Sequence, residues 1–288
     1  MSDDRYGRQV RLFGKEGQQR IAAARVVTLG AGGLGMPVIQ QLAYLGVLHH
    51  TVADSDIVSI SNLNRLIGAT LDDIDALKVN VAQRMISSIQ PTAQVTVLPV
   101  DLPNDAIGAA IADATVVIGC FDRETPRLHA TDLCSTAGVP YVDLAAEVLP
   151  DASGGVVFGG RIVTASDGTG CVSCLDVLDT RELARERMTA EQRQLNDTVY
   201  GVKEETLGDS GPSVVTLNSV VASLAATEIM CLLTGLRPAA RQLTYRGDLG
   251  TVGRPRESGR ENCPFCIRWR AAYQPRHGVR ESLNLHFA

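Results

Sequence analysis

The sequence is poor in aromatic side chains and carries no large excess of charge of either sign. Only 4% of its 288 residues are aromatic, and the formal net charge is −5. Because there is no basic excess, a nucleic acid is not expected as the main partner. No apolar run approaches the ~20 residues needed to span a bilayer, and the polar N-terminus has no signal-peptide core. We therefore expect a cytoplasmic protein with no membrane partner.

Cysteine is also scarce, yet four of the seven cysteines form two pairs of equal spacing. Cys171 and Cys174 form one C-x2-C pair, and Cys263 and Cys266 form the other. In a reducing compartment such pairs indicate a metal site rather than disulfides. Four thiolates at this spacing suit a tetrahedral Zn²⁺ with no open position, so we predict a structural zinc site. The alternative is a set of buried free thiols.

A glycine-rich turn separates the first predicted strand, 25–29, from the first helix of the sheet, predicted over 36–45. Its glycines are Gly30, Gly32, Gly33 and Gly35. A turn of this kind offers backbone N–H groups and a helix N-terminus to an anion. Asp54 ends the next strand, where a carboxylate would bind ribose hydroxyls. Alone, this pattern would also suit an NAD-dependent oxidoreductase.

Strands and helices alternate as far as residue 143, which predicts an α/β fold with a doubly wound, Rossmann-like parallel sheet. The predicted strands are 25–29, 51–53, 94–98, 115–118 and 140–143, and the helices are 36–45, 75–89, 104–112 and 124–137. After residue 150 the pattern changes. It predicts paired strands at 154–158 and 161–164, a charged helix at 180–195, a polar loop at 197–211, a buried helix at 213–234 and a strand at 242–245.

Cations and a further carboxylate accompany the glycine turn. Arg65 and Lys78 lie after the second strand, and Asp122 follows the fourth. Taken singly, the two cations would be ordinary solvated charges, and Asp122 would suit the cap of helix 124–137. Together, two cations and a carboxylate that can hold Mg²⁺ serve triphosphate chemistry, whereas nicotinamide chemistry needs no such group. The combination therefore favours ATP.

In the order of its motifs, the chain resembles the ThiF/MoeB family, the bacterial relatives of ubiquitin-activating enzymes. The motifs are Arg5-Tyr6-Gly7-Arg8-Gln9, Gly30 to Gly35, Asp54-x-Asp56, Ser61-Asn62-Leu63-Asn64-Arg65, Lys78, Asp122 with Arg127, and both cysteine pairs. The resemblance implies that Asp54 binds ribose, and that Asp122 binds Mg²⁺. It assigns the triphosphate to Asn62, Arg65 and Lys78. It also implies a sheet continued by antiparallel strands, and a homodimer in which Arg8 reaches the site of the partner subunit.

The activity implied by the resemblance is ATP-dependent adenylation of the C-terminal glycine carboxylate of a small ubiquitin-like or sulfur-carrier protein. A conjugating or sulfur-donating protein would act downstream. Relatives that form a thioester carry a cysteine in the crossover segment, but residues 175–211 contain none. We therefore expect no cysteine thioester on this chain. Arg123 also differs from the asparagine common in the family.

Several alternatives remain open at this point. The chain could adenylate a small-molecule, peptide or tRNA-base carboxylate, with the arginines of the C-terminal tail contacting the RNA. A hydroxyl of the 197–211 loop could form an oxyester. The chain could also be a catalytically silent scaffold that binds nucleotide or a ubiquitin-like protein.

We divide the chain into four parts. A helical arm occupies residues 1–24, and the ATP-binding part occupies 25–150. Residues 151–266 form the crossover and zinc part of the same adenylation domain, and 267–288 form a C-terminal tail that we expect to be loose.

Overall fold

The computed structural model describes residues 4–150, 154–189, 212–255 and 259–273. Its strands are β1 (Arg25–Leu29), β2 (His49–Ala53), β3 (Gln94–Leu98), β4 (Val116–Gly119), β5 (Tyr141–Pro150), β6 (Val156–Ala165), β7 (Gln242–Arg246) and β8 (Thr251–Gly253). Its helices are α1 (Gly7–Ala23), α2 (Gly35–Leu45), α3 (Lys78–Ile89), α4 (Asp105–Asp113), α5 (Glu124–Ala137), α6 (Thr180–Glu186), α7 (Val215–Thr234) and α8 (Pro264–Tyr273). Short 3-10 turns occupy Asp4–Tyr6, Ile60–Asn62 and Leu71–Asp73.

All eight strands belong to one sheet, in the order β3-β2-β1-β4-β5-β6-β7-β8. The strands from β3 to β5 are parallel, and each of β6, β7 and β8 is antiparallel to its predecessor. The predicted α/β class is therefore confirmed, including the antiparallel continuation. Chain order reverses between β1 and β4, and in such sheets ligands bind beyond the carboxyl ends of the strands at this reversal.

Helices cover both faces of the sheet. Buried residues of α1, α2 and α7 pack on one face, while α4, α5 and α8 pack on the other. By length and composition alone, the 20-residue helix α7 could cross a membrane, although no such segment is expected from the sequence. More than half of its apolar window is buried inside the protein, against α1, α2, β5 and β6. This burial is what a core helix of the domain requires.

The predicted pair of strands at 154–158 and 161–164 is wrong, because residues 156–165 form the single strand β6. The sequence Gly159-Gly160 resembles a turn, but here the two glycines allow the neighbouring strands to lie close to β6. A Cβ at Gly159 would collide with the carbonyl oxygen of Tyr245 in β7, and one at Gly160 would lie 2.5 Å from the carbonyl oxygen of Ala145 in β5.

Helix ends also differ from the predictions. The charged helix predicted over 180–195 ends at Glu186, and the rest of that range from residue 190, together with the 197–211 loop, lies outside the described residues. Helix α7 begins at Val215 rather than at 213, and α3 begins at Lys78 rather than at 75. The leading helix is interrupted at Gly14, where φ is 75°.

The first residues of the predicted loose tail belong to α8. Trp269 is fully buried and donates from Nε1 to the carbonyl oxygen of Val139 at 3.0 Å. Arg268 donates to Asp132 at 2.6 Å, and Arg270 donates to the carbonyl oxygen of Gly168 at 2.6 Å. These two arginines, considered above as RNA contacts, instead fasten α8 to its neighbours. Residues 274–288 lie outside the described part.

Candidate active site

The glycine turn lies at the carboxyl end of β1, at the reversal point of the sheet. Gly30 has φ of +98°, and a Cβ there would lie 2.6 Å from the carbonyl oxygen of Cys120. A Cβ at Gly35 would collide with the carbonyl oxygen of Gly30. At Gly32, by contrast, a Cβ would meet open space. The turn is therefore tightly packed at Gly30 and at Gly35, where α2 begins, and open at Gly32.

Asp54 is joined directly to this turn. Its Oδ2 accepts from the backbone N–H of Ala31 at 2.7 Å, and its Oδ1 accepts from Asp56 at 2.8 Å. Burial raises the pKa of the Asp54 carboxyl, while the nearby charge of Lys78 and the two backbone hydrogen bonds act in the opposite direction. The carboxylate thus lies beside the turn at the end of β2, where its predicted role in ribose binding requires it.

Lys78 is the first residue of α3, and its side chain is only 11% exposed. Its Nζ donates to the carboxylate of Asp56 at 2.6 Å, and Asp56 itself is 67% exposed. Arg65 lies on the other side of the turn, where its Cγ and Cδ would lie 3.4 Å from a Cβ at Gly33. Both predicted cations therefore flank the crevice. Only the Asp56 side of the Lys78–Asp56 pair is exposed, and solvent screens the pair from that side.

Asn62 is the last residue of the 3-10 turn Ile60–Asn62, and Arg65 follows it closely. The Oδ1 of Asn62 accepts from the backbone N–H of Ser59 at 3.1 Å, which completes a capping box. The guanidinium of Arg65 donates to the carbonyl oxygen of Ser61 at 2.6 Å. Because these bonds are local, the Asn62–Arg65 segment is fixed as one unit beside the glycine turn.

Asp122 follows β4, on the other side of the reversal point, and is exposed. The alternative role considered for it, capping α5, is not seen. The N-cap position of α5 is Arg123, which makes no side-chain cap. Glu186 of α6 performs this function from a distant part of the chain. Its carboxylate accepts from the backbone N–H groups of Glu124 at 2.8 Å and Thr125 at 2.7 Å.

The Glu186 carboxylate that caps α5 is held in its negatively charged form. Burial disfavours the ionised form of Glu186, but the hydrogen bonds from Thr125 and Glu124 outweigh that cost and lower its pKa. An ionised carboxylate at a helix N-terminus is stabilised by the helix dipole. Capping by Glu186 leaves Asp122 without a structural partner among the described residues, so its carboxylate is available to a cation.

Arg8 lies far from these groups within its own chain. It is exposed on α1, and its neighbour Gln9 donates to the carbonyl oxygen of Tyr44, at the C-terminal end of α2. The glycine turn lies at the opposite end of this 11-residue helix, which is roughly 16 Å long at 1.5 Å per residue. Arg8 therefore cannot serve the crevice of its own subunit in this structure.

A buried ion cluster centred on Asp143 was not predicted from the sequence. Asp143, with no exposed side-chain surface, accepts from Arg127 Nε at 2.9 Å, from Tyr141 Oη at 2.9 Å and from Arg161 at 2.8 Å. Arg127 also donates to the carbonyl oxygen of Phe121 at 2.8 Å. Because Phe121 precedes Asp122, this cluster holds the turn that carries the predicted magnesium ligand. The sequence feature that could have indicated this cluster is the carboxylate of Asp143 at the end of the predicted strand 140–143.

Arg161 extends the same cluster to the crossover segment. Its second guanidinium nitrogen donates to the carbonyl oxygen of Val177 at 2.9 Å, three residues after Cys174. The segment leading to α6 is thus fixed to the sheet by Arg161 and to the start of α5 by Glu186.

The four paired cysteines converge as predicted. The sulfur atoms of Cys171, Cys174, Cys263 and Cys266 all lie within 4.8 Å of one another, and all four residues are buried. The Cys171–Cys174, Cys171–Cys263 and Cys174–Cys266 sulfur separations are 3.7, 3.6 and 3.5 Å. A tetrahedral zinc with bonds of ~2.3 Å places its sulfur ligands about 3.8 Å apart. The cluster therefore fits a metal ion of this kind.

The other three cysteines are poor nucleophiles. Burial raises the pKa of each of the thiols of Cys120, Cys134 and Cys231 above the usual range. Cys134 and Cys231 are buried in helices, and Cys120 lies against the glycine turn. Attack requires a thiolate, which burial disfavours at all three positions.

Comparison with known proteins agrees with this geometry. The model of the ThiF family matches residues 6–265. The sulfur carrier protein ThiS adenylyltransferase of Escherichia coli is 32% identical over 270 residues, which cover 91% of this chain and 94% of that protein. The SAMP-activating enzyme E1 of Haloferax volcanii is 35% identical over 141 residues, or 48% of this chain and 52% of that protein.

A solved structure shows the same fold. E. coli MccB, in complex with MccA-N7isoASN, superposes with a TM-score of 0.73, at 18% identity, over 92% of this chain and 75% of that one. The family match spans the glycine turn, the cations around it and the first three cysteines of the cluster. The chain belongs to the ThiF family.

Proposed function

We propose that this protein uses ATP to adenylate the C-terminal glycine carboxylate of a small ubiquitin-like or sulfur-carrier protein. The observation that carries the proposal is the grouping of the glycine turn, Asp54, Arg65 and Lys78 at the reversal point of the sheet. The full-length similarity to the E. coli ThiS adenylyltransferase supports this substrate class. A carboxylate is already ionised at neutral pH, so the reaction needs no strong general base.

In the proposed reaction, a carboxylate oxygen of the acyl donor attacks the α-phosphorus of ATP, and pyrophosphate leaves with the bonding electron pair. The protein must bring two anions together and stabilise the charge that develops. N–H groups of the turn 30–35 and Asp54 hold the nucleotide. Lys78 and Arg65 supply positive charge, and Asp122 would hold Mg²⁺, which neutralises phosphate oxygens when bound.

When ATP binds, the ammonium group of Lys78 would exchange its ion pair with Asp56 for one with the triphosphate. The Lys78–Asp56 pair is open to solvent on the Asp56 side, so its exchange for a multiply charged phosphate is favourable. The same charge also lies near Asp54, as the effect of Lys78 on its pKa shows.

ATP–pyrophosphate exchange tests the proposal. With a carrier protein ending in Gly-Gly as acyl donor, we expect exchange by the wild type. Lys78→Ala and Asp122→Ala should each reduce it by about 10²-fold or more, by analogy with the loss of one transition-state donor. Asp105→Ala, which removes an exposed carboxylate at the start of α4, serves as the control and should retain exchange. Survival of exchange in both site variants would contradict this placement of the site, and exchange driven by a free peptide instead would change the substrate class.

We further propose that the acyl adenylate is passed on without a cysteine thioester on this chain. The crossover segment 175–211 has no thiol, and four cysteines form the predicted zinc cluster. Cys134 and Cys231 are buried, and Cys120 is partly buried with a raised thiol pKa. A conjugating or sulfur-donating protein would then receive the acyl group. Because the cluster needs reduced thiols, we propose that the protein works in the cytoplasm.

A homodimer completes the proposal. Arg8 lies at the far end of α2 from its own crevice, so a role in adenylation requires that a partner subunit present it. In that arrangement each site would combine Arg65, Lys78 and Asp122 of one subunit with Arg8 of the other.

A further inference from the structure

The exit of the crossover segment contacts the glycine turn through Asn218. This residue lies in the first turns of α7 and is only 2% exposed. A Cβ built on Gly33 would lie 2.5 Å from Asn218 Nδ2, so the amide group packs directly against the Cα of Gly33. The Cγ and Cδ atoms of Arg65 would lie 3.4 Å from the same Cβ position. The amide of Asn218 and the stem of Arg65 therefore both pack against Gly33.

Asn218 is also tied to the chain that precedes α7. Its Nδ2 donates to Ser213 Oγ at 2.9 Å, and its backbone N–H donates to the carbonyl oxygen of Val214. Ser213 is the second described residue after the segment 190–211. One amide group thus touches both the chain that follows the crossover segment and the turn proposed to hold the phosphates.

The side chain at position 218 determines the charge next to Gly33. A neutral amide N–H₂ beside Gly33 adds no negative charge near the phosphate position. An aspartate has the same shape, but it would place a carboxylate oxygen there. That oxygen could accept from the Ser213 hydroxyl, so the local hydrogen bond would survive the change. It would also repel phosphates and attract the Arg65 guanidinium away from them.

We infer that Asn218 is a positioning residue for the triphosphate, which acts through Gly33 and Arg65 and couples the exit of the crossover segment to the nucleotide. The inference rests on the proposed function. It assigns to the start of α7 a part in ATP binding that the glycine turn alone does not explain.

Nucleotide affinity without any acyl donor tests this inference. Calorimetric titrations of ATP with Mg²⁺, and of adenosine, are compared for the wild type, for Asn218→Asp and for Thr216→Asp. Thr216 is exposed on the same turn of α7, so its variant adds the same charge away from Gly33. We expect Asn218→Asp to lower the affinity for ATP by at least about tenfold and the affinity for adenosine by less than about threefold. The new carboxylate repels only a ligand that carries phosphate charge. Thr216→Asp should change neither affinity.

Equal losses for ATP and adenosine would show a merely structural role and overturn the inference, as would an unchanged ATP affinity in Asn218→Asp. A wild type that binds ATP no more tightly than adenosine would contradict the proposed function itself, and with it the inference. The two failures are therefore distinguishable.

A second measurement does not depend on the folding of Asn218→Asp. Gly33→Ala should lower the affinity for ATP, because its new methyl group collides with Asn218 Nδ2. Asn218→Ala in the same chain opens that space, so the double variant should regain at least about half of the loss in binding free energy. Additive losses in Gly33→Ala and Asn218→Ala would show that the two residues do not act together, and would overturn the inference.

Discussion

At the scale of single residues, His50 gives the clearest link between burial and pH. Its side chain is 3% exposed on β2, with Nε2 at 3.2 Å from the carbonyl oxygen of Val47. Burial lowers its pKa from 6.5 to about 4, against the hydrogen bond to Val47, which raises it. The folded protein therefore holds this histidine neutral, while the unfolded chain takes up a proton below pH 6.5.

This difference predicts that the free energy of unfolding falls as pH falls through the window from 6.5 to 4. The unfolded state binds more protons in that window, so the contribution of His50 to stability is complete above pH 6.5. About 2 kcal/mol of the free energy of unfolding should be lost at pH 5. Denaturant titrations at pH 7.5 and pH 5 measure this loss. His50→Leu should show a correspondingly smaller loss, and His49→Gln, at the neighbouring position of β2, should behave as the wild type. An equal loss in His50→Leu would contradict the prediction.

Residue roles could be predicted from sequence only where the chain itself brings the groups together. The turn 30–35 with Asp54 follows from strand order, and the four cysteines follow from spacing. Asn218, Glu186 and the partners of Asp143 could not be predicted, because each acts across a contact between distant segments. Glu186 lies 62 residues from Glu124, whose N–H it caps.

At the scale of elements, β6 shows why local signals mislead. Two adjacent glycines normally favour a turn, but here β7 and β5 pack so closely on either side that side chains are excluded. Tertiary packing therefore overrides local preference, and the register of β5, β6 and β7 could not be inferred from β6 alone. By contrast, the strands and helices of the parallel half follow a strict alternation, which predicts them to within a few residues. The exception is β5, predicted over 140–143, which continues to Pro150 where it pairs with β6.

The four-cysteine cluster joins the loop after β6 to the start of α8. Cys263→Ser should therefore lower the free energy of unfolding by at least about 2 kcal/mol, since a structural metal contributes directly to folding. Cys231→Ser, in a buried residue outside the cluster, is the control for thiol loss. Metal analysis of the wild type should find about one zinc per chain. A metal-free preparation with the same unfolding midpoint as the wild type would contradict a structural zinc.

At the scale of the whole molecule, the described residues on either side of segment 190–211 reach the crevice. Glu186 caps the start of α5 on one side, and Asn218 packs against Gly33 on the other. Among the described residues predicted to act on the nucleotide, Arg8 is the one that does not reach the crevice, since its neighbour Gln9 contacts the C-terminal end of α2. The nucleotide-site residue outside the crevice is thus also the one assigned to a partner subunit.

Mixing subunits tests that assignment. Arg8→Ala and Lys78→Ala proteins should each be inactive in pyrophosphate exchange, whereas an equilibrated mixture should regain activity. With random pairing of equal amounts, about half of the dimers are mixed, and each mixed dimer has one site with both residues intact. An inactive mixture, under conditions where labelled subunits demonstrably exchange, would place Arg8 outside catalysis.

The central claim is that an acyl adenylate forms on a carrier protein and that no thioester forms on this chain. Intact-mass spectrometry of both proteins tests it most directly, after the enzyme is incubated with ATP, Mg²⁺ and a carrier ending in Gly-Gly. We predict that the carrier gains the mass of one AMP unit, and that the enzyme keeps its own mass. A carrier without added mass and without pyrophosphate release, or an enzyme that gains the mass of the carrier through a thiol-sensitive bond, would contradict the account.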